Sequence, residues 1–327
     1  MAKKRKLPKV LLVVWGLNII GLAGLGFFLW DKIPSRAQVE LASPAEASPV
    51  PSTSAAPRVA PTTYIVPNVT PNPRGTLIAE TTPTAFDFEP NLSTDSPAMV
   101  IGYSVMGRPI EVFKFGQGAS KRLIVAGIHG GYEWNTIALA DELIAELNAH
   151  PELVPSDVTL YILRALNPDG DARGHDRTGR TNENGVDLNH NFPYHWKKDW
   201  NREGCWNYLP TTGGTRPASE PETIALVNFI DLHDFDALIS YHSAALGVFA
   251  GGMPPFAPSQ NLAQKISNSS PYVYPPVETG CEYSGNLTDW ASSVEGIPSV
   301  DIELSNHKDT DFGANLRILS IFLNWNP

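Results

Sequence analysis

From Met99 onward, short apolar runs of strand length alternate with longer runs whose apolar residues recur at helical spacing. Residues 99–103 and 110–115 read as strands, and 122–128 (RLIVAGI) as a short buried strand. Residues 134–149 have a helical pattern, 158–166 read as strand, and 219–233 read as a helix opened by a capping box, Ser219-x-x-Glu222. Residues 237–241 and 299–304 are further buried strands, and 312–325 form a terminal amphipathic helix. Strands that are apolar on both faces need cover from both sides, and helical crossovers supply it. The pattern predicts an α/β fold over 77–327: a three-layer α/β/α sandwich around a mixed, largely parallel sheet.

Functional groups of such sheets gather where strands end. Three apolar runs here end in polar side chains: LIVAGI leads to His129, ALISY to His242 and SVDI to Glu303. Glu133 follows His129 by four residues, at the start of the next helix. Two imidazoles and a carboxylate make a catalytic zinc set with a fourth position open to water, and a further carboxylate can take the proton. Each residue also has a plain structural reading. A strand-end histidine can be a hydrogen-bonded core residue, and a glutamate at a helix start serves the macrodipole. Glu303 resists that reading, because an unpaired carboxylate inside an apolar strand is costly.

The first 76 residues are of another kind. Residues 10–30 (VLLVVWGLNIIGLAGLGFFLW) carry no charge and are long enough, at about 1.5 Å per residue, to cross a bilayer. The basic segment 1–9 before them favours the cytoplasmic side, which sends the remainder outward. The expectation is a single-pass membrane anchor with an extracytoplasmic catalytic domain; a cleaved signal peptide, and so secretion, is the alternative. Residues 31–76 are rich in Pro, Ala, Ser and Thr and read as a disordered linker. Without the five bases that precede the apolar run, 19 bases remain against 34 acids. That balance excludes a nucleic-acid partner held by a general basic field.

Over roughly residues 101–327 the chain resembles the zinc carboxypeptidases of the carboxypeptidase A type, particularly their bacterial branch. The matching segments stand in the family's order: Gly102-Tyr103-Ser104-x-x-Gly107-Arg108-Pro109, GIHGGYEW at 127–134, and Asn167-Pro168-Asp169-Gly170. Arg180 follows, then GVDLNHNFP at 185–193, SEPET at 219–223, SYHS at 240–243, SGNLTDW at 284–290 and GIPSVDIEL at 296–304. The resemblance implies one Zn2+ per chain, held by His129, Glu133 and His242. It implies Glu303 as general base and Arg180 as oxyanion stabiliser. Asp187 then orients the first zinc histidine, and Asn189 holds the substrate's terminal carboxylate. The implied activity is hydrolysis of a terminal peptide bond, with peptides or muropeptides as substrates.

The chain also departs from the family pattern. The usual ligand pair is His-x-x-Glu, whereas here His129-Gly130-Gly131-Tyr132-Glu133 has one more residue, with two glycines free to form a bulge. The usual Asn-Arg-Asn, whose arginine clamps a free C-terminal carboxylate, is Asn189-His190-Asn191. Imidazole cannot make the bidentate fork, so either the docking weakens or His195, Lys197 or Lys198 replaces it. Cys281 stands where the family places a mobile tyrosine, and Tyr283 is the candidate substitute. Thr288 takes the position that selects the departing side chain and is neither acidic nor large and apolar. Cys205 and Cys281, both in loops expected at the mouth of the site, form a disulfide or remain free thiols. Three rivals stay open: a cell-wall muropeptide peptidase, a deacylase, and a non-catalytic binding module that has lost zinc.

Overall fold

The structure, a computed structural model, describes residues 98–205, 209–244 and 246–326. The basic segment 1–9, the expected anchor 10–30, the linker 31–76 and the first part of the expected domain, 77–97, lie outside the described residues. Among the described residues no helix is long and apolar enough to cross a membrane.

Seven strands form one sheet: β1 (Ala98–Tyr103), β2 (Pro109–Gly116), β3 (Ser120–Val125), β4 (Val158–Leu163), β5 (Ala237–Ser243), β6 (Val248–Ala250) and β7 (Ser299–Leu304). Their order is β1-β2-β4-β3-β5-β7-β6. The inner strands β4, β3, β5 and β7 are mutually parallel, while β1, β2 and β6 pair antiparallel at the two edges. Every residue of β4 and β5 is buried, which is why their sequences are runs rather than alternations. Two apolar cores flank the sheet. One gathers Leu139 and Leu143 of α1 (Trp134–Ala149), Leu262 of α4 (Ala257–Ser267) and Phe322 of α6 (Phe312–Leu323). The other gathers Leu226 of α3 (Pro221–Asp231) and Trp290 of α5 (Leu287–Ser293). The three-layer, largely parallel expectation holds for this region.

The helix expected at 219–233 forms, but its capping box does not. The N-cap is Glu220, not Ser219, and it makes no side-chain cap bond. Glu222 instead accepts from the Val105 backbone N–H at 3.0 Å and from Asn182 Nδ2 at 3.0 Å. A tertiary partner took the carboxylate that local sequence assigned to the helix end. The short α2 (Pro168–Arg173), α4, α5 and the three-residue β6 were not foreseen. In α4 only Leu262, Ala263 and Ile266 are buried apolar residues, so its sequence carries little periodic signal.

From β3 the chain crosses to β4 on one side, and it later returns through α3 to β5 on the other. The carboxyl ends of β3 and β5 therefore flank the point where the winding reverses, the place where open α/β sheets leave a crevice.

Candidate active site

His129 follows β3 by four residues and opens a single 3-10 turn, Gly130–Glu133, that runs directly into α1. The turn folds Glu133 back beneath His129, so that His129 Nδ1 and Glu133 Oε1 lie 2.8 Å apart. His242 arrives from β5, with Nδ1 3.2 Å from Glu133 Oε2 and 3.3 Å from His129 Nδ1. The metal-capable atoms of His129, Glu133 and His242 all lie within 4.8 Å of one another, and all three residues are buried. The extra residue relative to the usual spacing is absorbed by the turn.

The double glycine makes that turn possible. Gly130 has a φ of +47°, and a Cβ there would sit 2.8 Å from the carbonyl oxygens of Asn167 and Gly179. A Cβ on Gly131 would approach the Gly174 carbonyl oxygen to 2.1 Å. The turn is pressed against the 167–179 segment, and a side chain at either position would push it away. Asn167 stiffens that segment, accepting from the Gly170 N–H at 2.8 Å and donating to the Arg180 carbonyl at 3.1 Å.

The electrostatics of the set favour a cation. Burial pushes the Glu133 carboxyl up, but His129 and His242 outweigh it and hold the group well below the usual carboxylate range. Burial pulls His242 down, yet Asp301 and Glu133 together hold it well above the usual imidazole range. Three donors around one point, of a type that zinc prefers and with its surroundings demanding positive charge, fit a zinc ion. Partners outside the set fix its orientation. Asp187 Oδ1 lies 3.2 Å from His129 Nε2, and its other oxygen accepts from Arg180 Nε at 2.7 Å. The Ser243 N–H donates to Glu133 Oε2 at 3.1 Å, and Ser240 Oγ lies 3.0 Å from His242 Nε2. The signal for both serines in the sequence was the pair of hydroxyls at the two ends of SYHS.

Glu303 stands directly beside His242 in the β5/β7 register. Its Oε2 is buried without a hydrogen-bond partner among the described residues. Burial, then the nearby Glu133 carboxylate, push its carboxyl up to about 8. A dication on Glu133 would cancel that repulsion and lower it, which suits a group that must accept a proton and then release it.

Arg180, Asn189, His190, Tyr283 and Thr288 line a cleft of about 300 Å³ in front of this set. Arg180 is committed to Asp187 and reaches Glu133 Oε1 at 3.4 Å. Asn189 spends its amide oxygen on the Leu287 N–H at 3.0 Å, so only its Nδ2 is left to face the cleft. His190 stacks on Trp200, ring centroids 3.6 Å apart and 6° from parallel, and its Nδ1 lies 3.3 Å from Ser284 Oγ. Burial pulls His190 down to about 4, so it is uncharged at neutral pH. His195, Lys197 and Lys198 do not line the cleft, and Lys197 pairs with Glu282. Tyr283 lines it with its hydroxyl 2.6 Å from Thr279 Oγ1. Thr288 is buried and donates to Asp301 Oδ2 at 2.7 Å. Cys205 and Cys281 are joined in a disulfide on the cleft rim.

Comparison with known proteins agrees with this geometry. A family profile described as zinc carboxypeptidase matches residues 90–317. Murein peptide amidase A of Escherichia coli is 34% identical over 149 residues, covering 43% of this chain and 57% of that protein. Gamma-D-glutamyl-L-diamino acid endopeptidase 1 of Lysinibacillus sphaericus is 26% identical over 240 residues, 63% of this chain and 60% of that protein. The Carboxypeptidase N catalytic chain of Homo sapiens is 30% identical over 178 residues, 45% of this chain and 37% of that protein. The chain thus spans between about a third and three fifths of the length of these relatives. Among solved structures, murein-tripeptide amidase from Escherichia coli shares the fold at a TM-score of 0.51 and 23% identity, over 70% of this chain and 92% of that one. Bovine thrombin-activatable fibrinolysis inhibitor shares it at 0.56 and 20% identity, over 69% of this chain and 88% of that one.

Two substitutions test the metal set. Glu133→Gln is expected to reduce zinc, measured by atomic emission on the purified chain, from one equivalent to well below half. Gly131→Ala leaves all three ligands in place but displaces the turn that carries two of them. It is expected to weaken zinc retention against a chelator at least about tenfold, in the range for disturbed support of a metal site. Full zinc retention in Gly131→Ala would show that the turn is not what sets the ligand geometry.

Proposed function

Because this chain belongs to the zinc carboxypeptidase family, we propose that it is a zinc metallopeptidase acting on cell-wall stem peptides, hydrolysing a bond near their carboxyl end. The choice of substrate rests on His190. Where the family pattern has a guanidinium to clamp a free terminal carboxylate, this chain offers an uncharged imidazole stacked on Trp200. Among the described residues, the two guanidiniums that line the cleft are already engaged. Arg180 holds Asp187, and Arg202 pairs with Asp199 and donates to the Thr211 carbonyl. A peptide whose terminal carboxylate must be grasped by a fixed cation is therefore a poor fit. Relatives named for murein peptides and for a γ-D-glutamyl-diamino acid bond support the same substrate class.

His129, Glu133 and His242 would hold the zinc ion, which when bound supplies Lewis acidity toward water and the scissile carbonyl. The chain's own groups do the rest. Glu303, with Oε2 free of hydrogen-bond partners among the described residues, takes the proton of the attacking water and delivers it to the departing amine. Arg180, fixed by Asp187, provides positive charge against which the carbonyl oxygen can become negative. Asp187 and Ser243 keep His129 and Glu133 from turning away. Membrane attachment through residues 10–30 and an extracytoplasmic active site form part of this reading. The Cys205–Cys281 disulfide supports it, since such bonds persist on the oxidising side of a membrane.

Glu303→Gln is expected to lower kcat by about 10²–10⁴-fold while zinc content stays at the unmodified level; retained turnover would remove Glu303 from the mechanism. The substrate reading is tested with peptide pairs that differ only in a free or amidated carboxyl terminus. The unmodified chain is expected to prefer the free acid by no more than about threefold. His190→Arg, which restores a bidentate cation, is expected to raise that preference to about tenfold or more. A strong free-acid preference in the unmodified chain, with release of C-terminal residues from ordinary peptides, would favour the conventional carboxypeptidase reading instead.

A further inference from the structure

Strand alternation puts Asp301 on the same face of β7 as Glu303, and the register sets it beside Ser240 as Glu303 is set beside His242. Asp301 lines the cleft, yet it is only 9% exposed. Its Oδ2 accepts the Thr288 hydroxyl at 2.7 Å. Its Oδ1 is buried with no hydrogen-bond partner among the described residues. The nearest ring nitrogen, His242 Nε2, stands 3.4 Å away and has a closer partner in Ser240 Oγ at 3.0 Å. Asp289 lines the same cleft, receiving the Gly252 N–H at 2.8 Å and Asn286 Nδ2 at 2.9 Å. Among the described residues no lysine or arginine forms an ion pair with either acid.

A buried carboxylate oxygen left without a donor is costly, and in a site it marks where a donor arrives with the ligand. Thr288 holds the position that would select the departing side chain, but its hydroxyl is spent on Asp301. The group that the cleft presents there is consequently an acid supplied by the neighbouring strand. On the reading that this cleft receives the residue leaving on the carboxyl side of the scissile bond, we infer that Asp301 is the receptor for a cationic amine on that residue's side chain. Asp289 adds a second negative charge to the same cleft, and Thr288 acts as the positioning residue that turns Oδ1 toward the ligand. The substrate class is a peptide whose departing residue is lysine-like or a diamino acid.

The test is binding rather than turnover. The zinc-loaded full chain carrying Glu303→Gln is titrated by calorimetry with two tripeptides of the form L-Ala-γ-D-Glu-X, where X is lysine or norleucine. The lysine probe is expected to bind about 10- to 100-fold tighter, the range for a hydrogen bond to a charged group. Adding Asp301→Asn is expected to bring the ratio of the two affinities close to one, and Thr288→Val to reduce it by a smaller factor. Equal affinities before any change at Asp301, or a ratio that Asp301→Asn leaves intact, would overturn the inference. So would an equal loss for both probes with the ratio preserved, since Asp301 would then act only by orienting His242. Hydrolysis of the lysine tripeptide by the unmodified chain is measured separately. Its absence alongside a clear affinity ratio would overturn the proposed function but leave the amine receptor standing.

Discussion

A buried carboxylate between two buried imidazoles is the interaction on which the rest of this structure depends. Glu133 touches both His129 and His242, and charge of this density inside a protein is tolerated only when something positive neutralises it. His242, held well above the usual imidazole range, supplies part of that charge by taking up a proton, and a dication would supply it without one. The surroundings of the set are built to keep it in place. The 3-10 turn carrying His129 and Glu133 is packed so closely on the 167–179 segment that only glycine fits at two of its positions. The Asp187–Arg180 pair meets the other ring nitrogen of His129.

The loop that bears Asp187, Asn189 and His190 has no regular secondary structure beyond one 3-10 turn, so it must be held from outside. Glu220 does much of this. Its Oε2 accepts from Asn182 Nδ2 and Asn184 Nδ2, both at 2.8 Å, and its backbone N–H donates to Asn191 Oδ1 at 3.2 Å. Asn191 in turn donates to the Gly213 carbonyl at 2.6 Å. A buried polar network of this kind is costly unless satisfied, and when satisfied it specifies one loop conformation. The SEPET segment thus serves the active site through its first glutamate, more than through helix capping.

Much of the fold was legible because it rests on period. Buried strands of β4 and β5 are continuous apolar runs, and α1 repeats its apolar residues at helical spacing, so these elements announce themselves locally. What escaped was short or sparsely apolar: β6 has three residues, and α4 turns a narrow stripe inward. Ser219-x-x-Glu222 misled for the opposite reason. It is a good local pattern, but Val105 and Asn182 compete for Glu222 from distant parts of the chain, and local sequence cannot weigh a competitor it does not contain.

The same division runs through the site. The sequence by itself determined the chemistry available: two histidines and a glutamate at the ends of apolar runs, a second glutamate four residues after the first histidine, an arginine and an aspartate in the right order, and a histidine where a guanidinium is usual. Those are properties of residue type and position, and they need no coordinates. Only the tertiary structure decided which of these groups meet. The β5/β7 register brought Glu303 beside His242, and the packed glycines converted an irregular spacing into a tight ligand turn. It also decided what the cleft shows to a substrate. Read along the chain, position 288 is a threonine with nothing acidic about it. In the folded protein its hydroxyl is bound to Asp301, thirteen residues away, and the acid lines the cleft beside it. Side chains interact through space, and the pairing of strand with helix, not the order of letters, sets that distance.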